Sequence, residues 1–455
     1  MAHFQWRIFS VRAPLKRHEA IAIVRKKDYN NATMKILNQQ IFENKEAAAL
    51  PGLMESGGLP ALVSGLSGIH RVNLAAALYE RLELPVFVVC PDDSSAESFS
   101  RDLESMTGQR VNTLYSRDFT FYSSLAASRE AEQKRLYVLN ALRCGESPLT
   151  VATVSALMQR AIPPQTLAKA AFTVTDGEPC PPEELEKALV RCGYTRCEQV
   201  EGAGQFSRRG GIIDFFSPSY PEPVRIEFWG DDIDSMGFFD VKTQRRTESV
   251  ETCRILPAAE SLATLAQGGT EALIDALRAA ADKCSRHKSS QQLRELEQTL
   301  RTDIERLEQN VKIEYADRYM PFLYEKASGA DYIPEEAVVF IDQPPRCSDR
   351  AKGFIKQLGE DVGELVKKGM LATDAPSFRI SWDELTDKLS EHAVYMADAF
   401  TVGRYPVEPK TLVSIPAKQL PSYAGSVKTA AEDVSAYLKQ GFRVVVLAGD
   451  MRRAE

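Results

Sequence analysis

No stretch of this sequence approaches the ~18 to 20 consecutive apolar residues that a membrane-spanning helix requires, so no membrane contact is expected. Histidine is scarce, with five in 455 residues, two of them (His3 and His18) in an N-terminal stretch of unusual composition. That leaves little from which to assemble a catalytic triad. The eight cysteines (Cys90, Cys144, Cys180, Cys192, Cys197, Cys253, Cys284 and Cys347) are scattered, form no C-x-x-C pair and follow no export signal. A zinc module is therefore not expected, and reduced thiols in a cytoplasm are. An excess of positive charge is also missing: the net charge of -7 gives no overall basic footprint for nucleic acid, although a local patch is not ruled out by it.

What remains is an ordinary soluble composition, 44% apolar and 26% charged, in a chain long enough for roughly three domains of ~150 residues. Residues 1–33 carry seven Lys or Arg against two acids, Glu19 and Asp28, with no sustained amphipathic period. Such a composition would also suit a transit peptide, but an extension with little order, ahead of a start at Met34, is the expected reading.

From Ala61 the pattern alternates: ALV, a Gly-rich turn, the helical NLAAALYERL, then PVFVVC and the polar turn PDDSS. Strand, helix, strand implies a parallel sheet covered by helices. A helix over 95–106, a strand over 111–114, a charged helix over 128–142 and the strand PLTVATV continue the theme. After PPQT the style changes. PPEELEKALVRCG reads as a helix opened by prolines and closed by Gly193, and three apolar-rich runs follow, with GDD after IEFW as a hairpin signal. Residues 156–254 are expected to form a small α+β insertion. Farther on, Leu293, Leu296, Leu300, Ile304 and Leu307 lie on one stripe of a charged helix and mark a packing seam. EEAVVFIDQPPRC predicts a buried strand ending in Asp342, followed by a helix over 350–370. The final strand, FRVVVLAG, has no partner after it, so the chain is expected to stop inside a domain.

The loop GLSGIHRV, 65–72, sits where a phosphate-binding loop G-x-x-x-x-G-K-[ST] would sit, between a strand and a helix. Gly65 supplies the first glycine, and Gly68 helps shape the turn, but His70 takes the second glycine position, Arg71 the lysine position and Val72 the hydroxyl position. Arg71 keeps the charge in a bulkier form, and Val72 cannot hold Mg²⁺. The second half of such a site, a strand ending in Asp-Glu, appears as Asp342 followed by Gln343, which cannot take a proton from water. The nucleotide site reads as degenerate in both halves, and no catalytic residue is expected. Ser67 lacks the last glycine of a nucleophile elbow, Ile69 standing there, and the acidic run from Asp232 reaches Thr243 where a calcium loop needs Glu.

In EGAGQFSRRGGIIDFFSP, Phe206, Arg208 and Arg209 precede Gly210 and Gly211, and Ile212, Asp214 and Phe216 alternate with Ile213 and Phe215. On a sheet, this pattern could present an Arg/Phe docking surface, or it could be half core and half solvated charge.

The run QFSRRGGIIDFFSPSYPEPVRIEFWGDDIDSMGFFDVKTQRRTESVETCRILPAAE closely resembles the second domain shared by the excision-repair protein UvrB and the transcription-repair coupling factor Mfd. RDFTFYSSLAASREAEQKRL, YIPEEAVVFIDQPPR and KQLPSYAGSV resemble the coupling factor rather than UvrB, and the resemblance extends over 34–455. The stretch 111–130 is also too short for UvrB's DNA-clamping hairpin. The resemblance implies a RecA-like α/β domain with a degenerate nucleotide site (34–155 with 255–404), an inserted UvrA-binding α+β domain (156–254) and a truncated third α/β domain (405–455). It implies UvrA as partner, with Arg196 and Arg209 matching the family's contact arginines, Ser207 standing at a third basic position beside Arg208, and Phe206 with Phe215 or Phe216 as the apolar part. In the family a C-terminal domain masks this surface. RNA polymerase and DNA are met, and ATP and Mg²⁺ used, by a helicase-like motor beyond this segment. A monomeric, cytoplasmic docking module without a cofactor is the expectation, against the alternative of an active ATP-dependent DNA-processing enzyme.

Overall fold

The computed structural model describes residues 7–11, 21–25, 34–35, 38–122, 129–286, 290–401, 404–415, 417, 426–441 and 443–448. Its largest element is a seven-stranded sheet in the order Thr411–Ser414, Ala61–Ser64, Ala393–Ala397, Val338–Asp342, Val86–Cys90, Leu149–Thr153, Asn112–Leu114. Every pairing in it is parallel. The central strands are continuous apolar runs because helices cover both faces. Alternate residues separate accordingly: Leu62, Phe87, Val89, Val339 and Ile341 join one core, and Ala61, Val63, Val88, Phe340 and Tyr395 join the other. Helices Ile69–Leu82 and Asp93–Thr107 pack on the second face. On the first lie Arg129–Arg143, Gly269–Ser285 and Gln291–Glu308, the last through the expected stripe of Leu296, Leu300, Ile304 and Leu307. The sheet is that of a RecA-like α/β domain with further sheets added. Helix Pro344–Lys367 begins earlier than the pattern predicts, its two prolines occupying the first turn, where the missing N–H costs nothing.

The added unit is a six-stranded sheet in the order Arg246–Ser249, Asp232–Phe239, Val224–Trp229, Ile212–Phe215, Gln205–Arg209, Thr195–Arg196. Helix Pro182–Arg191 covers one face through Leu185 and Leu189. Gly230, at φ 65°, turns the predicted GDD hairpin. The run read as a possible calcium loop is strand, and no metal-ligating cluster occurs among the described residues. The unit opens on Phe172–Thr175 and closes on Thr252–Ile255, two strands paired antiparallel. Residues 156–170, expected within the insertion, belong instead to the α/β core, where Ala156, Leu157, Met158, Ile162 and Leu167 are buried. Apolar content alone does not say which core a short helix joins.

Two strands fall where little order is expected. Arg7–Val11 and Ile21–Arg25 flank Arg443–Ala448, the first antiparallel and the second parallel, so the final strand has partners drawn from the other end of the sequence. The rest of 1–33, and most of KQLPSYAGSV, lie outside the described residues.

Behind the sheet lies a buried ionic cluster. Arg117 Nη1 and Nη2 donate to both oxygens of Asp317 at 2.6 and 2.7 Å, and its Nε donates to Glu260 at 2.9 Å. Arg135 meets the same Glu260 at 3.0 Å, and Glu132 lies 3.6 Å from Arg117 while accepting from the Glu260 backbone N–H. Burial alone would push Asp317 up, but Arg117 beside it, with hydrogen bonds from Ser261 and Thr120, holds it below the ordinary carboxylate range. Glu132 has weaker compensation, and burial raises it to about 7 despite Arg117. The cluster ties the loop after Asn112–Leu114, helix Arg129–Arg143, the return from the inserted unit and the segment at Asp317 into one block.

Removing Arg117 by substitution with Met leaves three carboxylates facing one another, and a loss of roughly 3–5 kcal/mol is expected in urea unfolding. Glu132 binds its proton more tightly folded than unfolded, so its contribution is complete below the ordinary carboxylate value and is lost as pH rises through about 7. Glu132→Gln should therefore gain stability relative to wild type between pH 5 and 8, read as a divergence of the two unfolding midpoints; parallel midpoints would contradict this assignment.

Candidate functional site

Gly65 and Gly68 take φ of 87° and 49°, conformations that suit glycine, and let Ala61–Ser64 turn into helix Ile69–Leu82. The backbone of the loop is already committed. Leu66 N–H donates to the Asp398 carbonyl at 3.2 Å, His70 N–H to Ser67 at 3.1 Å and Arg71 N–H to Gly68 at 3.3 Å. Leu66 itself is buried, and burial, with the charge of Arg71 nearby, keeps the His70 ring below its usual pKa. Val72 packs in the core.

The side chain in the lysine position does not point into an open cradle. Arg71 Nε forms an ion pair with Asp342, the carboxylate that would work through Mg²⁺, and Arg71 Nη1 donates to the Leu66 carbonyl at 3.3 Å. Burial raises the Asp342 pKa, an effect that Arg71 and Gln343 partly offset. Gln343, in the position of the water-activating Glu, is occupied at both ends: its Nε2 donates to Asp342 at 3.1 Å and its Oε1 accepts from Arg346 at 2.9 Å. The residues present do not fit a nucleotide and its metal. The loop closes on itself through a cation and a carboxylate that would otherwise have met phosphate and Mg²⁺.

The inserted sheet divides the expected docking residues between its two faces. Phe206 and Phe215 are directly opposite each other across the Gln205–Arg209 and Ile212–Phe215 strands, and both are fully buried beneath helix Pro182–Arg191. This corrects their assignment as contact residues, since they are the core that the helix covers. Phe216, one residue on, is half-buried. Arg208 follows the parity of Phe206, and its guanidinium reaches back to the helix, to Glu186 at 3.0 Å and to Glu183. Arg196, on the edge strand, donates to the same Glu186 at 2.9 Å. Two of the three arginines therefore converge on one carboxylate.

Arg209 lies on the face opposite helix Pro182–Arg191. Its side chain remains 52% exposed while Nη2 donates to Asp214 at 2.7 Å. Asp214 is buried and also accepts from Arg225 Nε at 2.7 Å and Nη2 at 2.9 Å. Arg225 in turn lies over the Phe239 ring, 4.6 Å from its centroid. One carboxylate between two guanidinium groups leaves this cluster with a net positive charge. Ser207, at the third basic position of the family, is buried on the same face with no hydrogen-bond partner for its hydroxyl. Sequence reading missed Glu183, Glu186 and Arg225; period-two counting along PVRIEFW places Arg225 opposite the buried Val224 and Ile226 and could have found it.

Replacing Arg71 by Ala strands a buried carboxylate and is expected to lower stability by about 3 kcal/mol. Adding Asp342→Asn should recover part of that loss, a coupling that denaturation of the two single variants and the double variant measures.

Comparison with known proteins agrees with this division of the chain. The family model described as the UvrB interaction domain matches residues 172–260, which begin with the inserted unit at Phe172 and run five residues past its last strand, Thr252–Ile255. A transcription-repair-coupling factor of Bacillus subtilis is 28% identical over 91% of this chain and 35% of its own length. One from Myxococcus xanthus is 29% identical over 62% of this chain and 24% of its own length, and one from Escherichia coli 30% identical over 45% and 18%. The chain thus spans about a third of the length of the Bacillus relative and less of the other two. Over most of its length this chain resembles the UvrB-like region of transcription-repair-coupling factors.

Proposed function

We propose that this chain supplies the docking part of a transcription-repair coupling factor, its inserted domain binding UvrA so that excision repair reaches RNA polymerase stalled at DNA damage. The observation that carries the reading is Arg209, held by a buried carboxylate yet half exposed on an open sheet face, within the residues that match the UvrB interaction domain. Arginine so held meets a carboxylate on a partner with little further loss of side-chain freedom. Arg196 and Arg208 contribute at the sheet edge but must share Glu186 with any partner. Polymerase and DNA are met, and ATP is used, by parts of a longer protein; this chain acts without a nucleotide of its own, as a monomer in the cytoplasm.

Titrating purified UvrA against the chain tests this. Arg209→Glu is expected to weaken binding at least tenfold, about 1.4 kcal/mol, with Arg196→Ala weakening it less; a wild-type chain that does not bind UvrA overturns the proposal. The contrasting reading, an ATP-dependent DNA-processing enzyme, requires turnover that depends on Arg71. No ATP hydrolysis is expected with or without DNA, and hydrolysis abolished by Arg71→Ala would replace the docking-only reading.

A further inference from the structure

Among the described residues the most exposed large hydrophobic side chain is Trp229, at 83%. It ends the Val224–Trp229 strand at the hairpin tip, beside Gly230. The ladder fixes its face. Arg209 pairs with Ile212, Ile212 with Glu227, and Glu227 with Ser235, so these four share the open side of the sheet. The register shift after Glu227 leaves the alternation along this strand intact, with Phe228 packed on the helix-covered core and Trp229 returned to the open side. Gly211 bonds the Phe228 backbone, which brings the Arg209–Gly210–Gly211 turn alongside the indole.

We infer that Trp229 is a second anchor of the docking surface, inserting its indole into an apolar cleft of the same partner whose carboxylate Arg209 meets. This rests on the UvrA-docking reading and adds to it a contact residue and a partner chemistry. Tryptophan and arginine carry a disproportionate share of interface energy, and here the two flank one bare glycine turn that lets a partner approach the backbone. Of the other large apolar side chains of this sheet, Phe206, Phe215, Ile213, Ile226 and Met236 are buried and Ile212, Phe228 and Phe238 half-buried, so none is as exposed as Trp229. Trp229 has no role in that core, so its placement costs solvation without gaining packing in the free chain.

The test compares wild type, Trp229→Ala, Trp229→Phe and Arg209→Glu in UvrA titrations of the full chain. Trp229→Ala should weaken binding at least tenfold and Trp229→Phe severalfold, with unfolding midpoints unchanged because the side chain is exposed. UvrA should also shift wild-type indole emission to the blue, a change lost in Trp229→Phe although Trp6 and Trp382 remain. If Arg209→Glu abolishes binding while Trp229→Ala leaves it unchanged, the anchor is refuted and the docking reading stands. If wild type does not bind, both fail. If Trp229→Ala instead dissolves a dimer of this chain and leaves UvrA affinity intact, the indole serves a second copy and the inference is overturned.

Discussion

Arg117 holds the molecule's halves in register. Four buried charged groups, with Glu132 half-buried beside them, would ordinarily be a liability, because desolvation costs several kcal/mol for each ion. They are tolerated because Arg117 meets Asp317 with two parallel hydrogen bonds and Glu260 with a third, while Arg135 brings a second positive charge to Glu260. The geometry can be satisfied in one arrangement only, so it fixes where four separate chain segments sit. Glu260 is the telling member. It stands just past the inserted domain, and around it Arg254 clasps Glu146 at 2.7 and 2.8 Å, Thr264 donates to Arg191, and Gln133 to Ala203. The inserted sheet is thereby mounted on the α/β domain by polar contacts of defined geometry.

The same economy of charge explains the silent nucleotide loop. In an active site of this class a lysine and an aspartate would be kept apart by phosphate and metal. Here Arg71 and Asp342 satisfy each other, Gln343 closes the circle with Arg346, and the N–H groups of Leu66, His70 and Arg71 have found carbonyls. The strand-to-helix turn is retained for its packing: Leu66 and Val72 are buried and Gly68 opens a fourteen-residue helix. In the inserted domain Glu183, Arg196 and Arg209 stay near water, while Asp214 is buried between two arginines. Glu186 and Asp214 each take two arginines; Glu183 balances the first group through Arg208, while the Asp214 group keeps one positive charge in excess.

Much of this was legible in the sequence. The parallel sheet follows from alternating apolar runs and helices, the degenerate loop from His70, Arg71 and Val72, the helical seam from Leu296 to Leu307, and the hairpin from GDD. What was not legible shares a physical cause. Phe206 and Phe215 looked like partner contacts because period two tells which residues share a face but not which face a helix will cover. The burial of Arg117, Glu132 and Arg135 was not legible, since nothing local announces that a charged residue will be buried; their partners Glu260 and Asp317 lie more than a hundred residues away. The strands near the N-terminus were missed for the same reason, their pairing partner lying at the far end of the chain.

The pairing of Phe172–Thr175 with Thr252–Ile255 has a topological consequence. Phe172 is directly opposite Ile255, so the two points at which the main chain leaves and re-enters the α/β domain are about 5 Å apart. To the parallel sheet the whole inserted domain is therefore a side loop whose ends are already closed. The entropy of closing it falls on the domain's own first and last strands, and its interior can lengthen, shorten or diverge without altering the path of the chain on either side. Glu260 lies just beyond that seam, so the Arg117 cluster is left with the α/β domain.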